Sequence, residues 1–284
     1  MMKTLFHDLR VTLRMARTHF AFSAVIVLTL ALGIGANTTI FSVVYGLVLS
    51  PFPFPEPERI VGVGTAYPRL GTELRFIEHM SPAEFEDIRD NASTLEAVVA
   101  WDMGNRQIDT DGPPENVFSA FWWGDALSTI GMDAHLGRGF SRDEIETSAP
   151  VVMLTRDVWT NRFGADSTMV GNTIGVNGNP YTLIGIIPAG VDIYGTDLWM
   201  TLPAQPSAYS RNRRQFQAMA RVREGISLRE VNTELEGLAR RVEQSHAAEF
   251  EEYEGWSMQA MTWNNVSSQF FRTGAWVLLG AVSF

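Results

Sequence analysis

Between residues 18 and 55 the chain carries no Asp, Glu, Lys or Arg, and this run sits directly behind a short basic leader holding Lys3, Arg10, Arg14 and Arg17. A bilayer core takes about 20 apolar residues in helical form, since a helix satisfies its own backbone polar groups in hydrocarbon. The stretch AFSAVIVLTLALGIGANTTIFSVVYGLVLS exceeds that length by roughly half. The sequence therefore predicts a transmembrane helix over residues 20–50, about 45 Å long against a hydrocarbon core of about 30 Å. Either the helix tilts, or its second half, beginning at the polar step Asn37-Thr38-Thr39, rises from the lipid as a stalk. A cleaved signal peptide is the main rival, because small residues follow the first apolar stretch at 31–36; apolar sequence resumes at Ile40 and continues to Leu49, which a signal peptide does not need.

The leader adds an orientation. Leu5, Leu9, Leu13, Ala16 and Phe20 fall on one helical face and Asp8, Arg10, Arg14 and Arg17 lie off it, the pattern of an interfacial amphipathic helix over residues 1–19. Lys and Arg beside a span resist translocation, whereas the whole chain carries a net charge of -10. A cytoplasmic N-terminus and an exported acidic body follow, and nucleic acid is excluded as a partner for so acidic a body. The chain has no cysteine, so it offers no disulfide, thiolate zinc site or thiol nucleophile. Lys3 is the only lysine, and a phosphate-cradling Walker A loop needs a Gly-rich turn followed by Lys; any ATP hydrolysis must come from another chain.

Pro51, Pro53, Pro55 and Pro57 remove backbone donors and stiffen the exit from the helix, a hinge or linker. Beyond it, 59–65 reads as a strand, and Ser81-Pro82-Ala83-Glu84 as a capping box opening a helix to about residue 91. Residues 95–101 read as apolar and β-prone and 117–123 as a second apolar run, followed by a short helical stretch around 125–130 and a turn at 137–139. A buried strand at 151–154 leads through the N-cap Thr155 into a helix at 156–163 that buries Val158, Trp159 and Phe163. Asn177-Gly178 between alternating apolar residues marks 173–187 as a β-hairpin. Further strands are expected at 197–202, 215–223 and 256–263. A capping box at Ser227 and Glu230 opens a helix over 228–246 burying Val231, Leu235, Leu238 and Val242. The apolar stretch 273–284 is too short to cross a bilayer by itself, and residues 266–284 read as the start of a second span.

No constellation for covalent chemistry emerges. There is no Gly-x-Ser-x-Gly elbow, and His7, His19, His79, His135 and His246 lack metal-ligand spacing. His246 and Glu249, with Glu251, Glu252 and Glu254, read as a solvated helix end, and DTDGPPE at 109–115 as a turn without the ligand series of a calcium loop. Trp122 and Trp123 read as core packing, with a hydrophobic binding surface as the alternative. No catalytic, cofactor-binding or metal-binding residue is assigned, no cofactor is expected, and the chain does not read as an enzyme.

The opening LRVTLRMARTHFAFSAVIVLTLALGIGANTTIFSVVYGLVLSPFPFPEPERIV, with LGRGFSRDE, VVMLTRDVWTNRFGADSTMVGNTIGVNGNPYTLIGIIPAG, DLWMTL and ARVREGISLREVNTELEGLARRVE, resembles the permease subunits of the MacB/FtsX type of ABC transporter, notably their duplicated orphan branch. The resemblance covers nearly the whole chain. It implies an α+β architecture: the N-terminal transmembrane helix, a mixed α/β MacB-like periplasmic core domain over 51–265 with two subdomains, and the start of a second transmembrane helix in a longer permease. It also implies a bacterial inner-membrane location, an ABC-type ATPase acting in trans, the lipid bilayer as surroundings, and a periplasmic adaptor or second permease copy as a further partner. In that scheme the chain transmits motion and carries out no covalent chemistry. The alternative is a single-span receptor or scaffold whose acidic ectodomain binds a partner protein.

Overall fold

Apolar residues that alternate along a strand go to opposite faces of a sheet, and here both faces are filled. The computed structural model describes residues 18–44, 54–66, 79–109, 113–191, 193–202, 209–211 and 213–266, with the side chains of 36, 37 and 40–44 left aside. The leader, residues 45–53, the middle of the 109–115 turn and the apolar stretch 267–284 lie outside the described residues. The chain divides into two compact units, one of Met1–Ser50 with Ser267–Phe284 and one of Pro51–Val266.

In the first unit, α1 (Phe20–Val44) is a continuous helix. Its Phe22, Val25, Leu28, Leu32 and Ile34 are exposed, although these side chains favour burial. Thr29 and Thr39 return their hydroxyls to the carbonyls of Val25 and Gly35. Among the described residues no helix is long and apolar enough to cross a membrane.

The second unit is a mixed α/β domain built on ten strands: β1 (Ile60–Ala66), β2 (Leu95–Ile108), β3 (Glu115–Trp123), β4 (Leu136–Gly137), β5 (Val151–Thr155), β6 (Thr173–Val176), β7 (Asn179–Ile187), β8 (Leu198–Thr201), β9 (Gln217–Val222) and β10 (Ser257–Thr262). The sheet runs β10-β1-β9-β2-β3-β8-β5-β7-β4, antiparallel except where β3 meets β8 and β5 meets β7. The long β2 organises it: residues 95–101 pair with β9 and residues 100–108 with β3. At its far end Ile108 also meets Val176 of β6, so β2, β3, β8, β5, β7 and β6 close on themselves.

On one face the strands deliver Val63, Leu95, Phe121, Trp123, Leu154, Met200 and Ala220 to a core closed by three helices. These are α2 (Pro82–Asn91, with Phe85 and Ile88), α5 (Arg156–Phe163, with Val158 and Trp159) and α6 (Leu228–His246, with Val231, Leu235 and Leu238). The opposite face places Val99, Trp101, Trp122, Met153, Trp199 and Met219 in a second core, under α3 (Ala126–Ile130) and the segment holding Val191 and Ile193. Trp101, Trp122 and Trp199 form a stack of tilted rings there, with centroids 5.1 and 4.9 Å apart and planes 37° and 53° from parallel.

The expected helix starts hold. Ser81 and Ser227 form full capping boxes with Glu84 and Glu230, and Thr155 caps α5. The 173–187 hairpin turns on Asn177 and Gly178, both at positive φ, as a two-residue turn twisted with its strands demands. A helix the sequence reading omits, α4 (Arg142–Glu146), is opened by a third capping box, Ser141 with Glu144.

Candidate functional site at the root of the domain

The described part of the domain begins at residue 54 and ends at 266, and these two points share one core. Phe54, Ile60, Trp263 and Val266 are all buried in the second cluster. Ile60 and Trp263 adjoin β1 and β10, which lie antiparallel with Val61 opposite Thr262. The Trp263 ring stands 5.9 Å from that of Trp101, which ties the departing segment to the tryptophan stack.

Between Phe54 and β1 the chain is pinned by two arginines. Arg59, in the short 3-10 turn Pro57–Arg59, donates Nε to the Val222 carbonyl at 2.9 Å and Nη1 to Glu56 Oε2 at 2.7 Å, and its Nη2 reaches Glu96 at the start of β2. Arg221, on β9, is 5% exposed. It donates Nε to the Thr129 carbonyl of α3 at 2.7 Å, and its two terminal nitrogens lie 3.4 Å from Glu56 Oε2 and the Pro55 carbonyl. A buried guanidinium is tolerated only when its donors find acceptors, and these are supplied by two separate stretches of chain, residues 55–56 and the end of α3. Gly131, which ends α3 at φ 75°, leaves the space this requires, since a Cβ there would stand 2.5 Å from Arg221 Nη2. The segment expected as a hinge is thus held at 54–59, while 51–53 lie outside the described residues.

Two other features lie in the same domain. A groove of about 610 Å³ runs between α2 and α4, floored by Phe85, Trp123 and Phe140 and rimmed by Glu86, Arg89 and Glu146. Arg89 sits 5.3 Å over the Trp123 ring. The adjacent tryptophans therefore divide: Trp122 is wholly core, and Trp123 is buried yet forms a groove floor. In the first turn of α2, Glu84 is fully buried and accepts from Nε and Nη2 of Arg214 at 2.8 and 2.7 Å. Burial pushes the Glu84 carboxyl up from its usual range against the pull of Arg214. Burial likewise pushes the nearby Tyr253 phenol up to about 12.

Of the histidines, His7 lies outside the described residues, while His135 packs edge-on against Trp159 and His246 lies tilted against Tyr253. Glu249, Glu251, Glu252 and Glu254 are exposed, beyond α6 and around a short 3-10 turn. Among the described residues no group of three or more His, Asp, Glu or Cys could hold a metal ion.

Solved structures share this fold. The chain is similar to a domain of a permease protein from Porphyromonas gingivalis, at TM-score 0.55 and 16% identity over 74% of this chain and 92% of that one. It is similar to the periplasmic region of MacB from Actinobacillus actinomycetemcomitans, at 0.53 and 13% over 82% and 98%. The extracellular domain of the noncanonic ABC-type transporter YknZ from Gram-positive bacteria aligns at 0.50 and 11% over 71% and 99%. No curated protein matches at the sequence level. Residues 23–238 match the MacB-like periplasmic core domain, and the chain belongs to that family, the core domain of MacB/FtsX-type ABC transporter permeases.

Proposed function

We propose that the chain is the N-terminal part of the permease subunit of a MacB/FtsX-type ABC transporter, coupling ATP hydrolysis by a separate ATPase to movement of its periplasmic domain. Residues 1–19 form the cytoplasmic amphipathic helix, 20–50 the span and stalk, 51–265 the periplasmic domain, and 266–284 the start of the next span. The observation that carries this reading is the root. The chain enters and leaves the domain beside the β1–β10 pair, through Phe54 and Val266 in one core. Two membrane segments joined to such a root would act on the domain together, and both would act on one packed sheet. The exposed apolar side chains around α1 and the uncharged run it belongs to support the membrane assignment.

The proposal makes motion the product. Closure of the ATPase would displace the stalk, the stiff proline exit would carry the displacement, and the domain would work on a substrate or adaptor. Replacing Pro51, Pro53, Pro55 and Pro57 with Gly in the full-length protein tests this. ATP hydrolysis by the assembled transporter should persist while transport falls; unchanged transport would refute the coupling role. If no ABC-type ATPase co-purifies with the chain from its native membrane, the receptor reading replaces this one.

A further inference from the structure

Glu56 is held in an uncommon backbone state between two prolines of the linker. Its φ of 52° and ψ of 58° place it in the left-handed region, disfavoured for a residue with a Cβ. It also precedes Pro57, and a residue before proline prefers extended backbone. Pro55 and Pro57 have φ fixed by their rings, so rotation in this segment concentrates at Glu56. Strained residues of this kind persist only where the surroundings over-determine them.

The surroundings do so through one carboxylate. Glu56 Oε2 accepts from Arg59 Nη1 at 2.7 Å and lies 3.4 Å from Arg221 Nη1, while the Glu56 carbonyl accepts the Arg59 N–H at 2.9 Å. Arg221 is anchored independently by the Thr129 carbonyl, and Arg59 by the Val222 carbonyl. Residue 56 is left-handed with its carboxylate clamped; the extended backbone that a residue before proline prefers would release the carboxylate and send the chain in another direction.

We infer that Glu56 is a coupling latch, a positioning residue that passes displacement of the preceding chain into β9 and α3 instead of letting it dissipate by rotation at 56. The inference rests on the permease reading above and specifies where in the root the motion is handed over. Glu56→Gln keeps size and removes charge; Glu56→Gly removes the carboxylate and with it the backbone strain, so neither endangers the fold. In the full-length protein, both variants should raise amide hydrogen exchange across 54–60 by about tenfold, with β5 unchanged. In the transporter assembled with its ATPase, ATP hydrolysis should continue and transport should fall at least about fivefold, as expected of a positioning residue remote from the hydrolysis site.

Unchanged protection of the Arg59 amide in both variants would overturn the latch. Loosened exchange with undiminished transport would reduce it to a local anchor and overturn the coupling role. A wild-type chain that recruits no ATPase would sink the permease reading and the coupling with it, while the exchange result separately decides whether Glu56 holds the segment.

Discussion

Glu234 offers a test of how the domain is held together. From the second turn of α6 its carboxylate reaches the start of β2, where Oε1 accepts the Ser93 amide at 2.8 Å and hydroxyl at 2.6 Å, and Oε2 the Thr94 amide at 2.9 Å and hydroxyl at 2.5 Å. Burial by itself would raise its pKa, but these four donors, hydroxyls first, outweigh it and bring the value down to about 2 from 4.5. At about 1.4 kcal/mol per pKa unit the ceiling is about 3 kcal/mol. The group lies near the surface, where solvent screening reduces such terms, so about 1–2 kcal/mol is the expected contribution. Because the folded pKa is depressed, this stability is fully present above pH 4.5 and is lost as pH falls toward 2.

Glu234→Gln should therefore lower the melting temperature by about 3–6 °C at pH 7, given the few degrees per kcal/mol typical of a domain this size. The gap to wild type should shrink by more than half at pH 3. Thermal unfolding of both proteins, followed by circular dichroism from pH 7 to pH 3, measures this directly. A gap that is absent at pH 7, or equally wide at pH 3, would refute the reasoning.

Two further changes probe the root and the sheet edge. Gly131→Ala places a Cβ against the Arg221 guanidinium at a left-handed position, and should cost about 2–3 kcal/mol in a denaturant melt. Asn232→Ala removes the amide that caps edge strand β10, where Asn232 Oδ1 takes the Ala260 N–H at 2.7 Å and Nδ2 meets the Ala260 carbonyl at 3.2 Å. The loss should cost about 1–3 kcal/mol and open the edge to pairing between copies, visible as a larger species in size-exclusion chromatography.

Local features of this fold are legible in the sequence because their causes are local. The capping boxes at Ser81 and Ser227 and the Asn177-Gly178 turn each need only neighbouring residues, and each stands where the pattern puts it. The α4 helix was readable from Ser141 and Glu144, but five residues with no apolar periodicity give little else to find. Period-two alternation along β3 separates Trp122 from Trp123, and only the helices packed on each face determine that one is core and the other a groove floor. The order of strands depends on pairings between distant segments, such as β1 with β10. The root shows the same limit: Arg221 reaches a carboxylate 165 residues earlier, and nothing in the PFPFPEPER string announces it. The proline alternation is visible as stiffness; the burial of Phe54 and the left-handed Glu56 that turn it into an anchored segment are not.

The central claim is a domain held on the far side of the membrane by a crossing at residues 20–50. The chain has no cysteine, so single cysteines introduced at Arg17 and at Gly225 can be labelled alone. With a membrane-impermeant maleimide on intact spheroplasts, the cysteine at 225 should label at once and that at 17 only after lysis. Equal labelling of both before lysis, or of neither, would contradict the account.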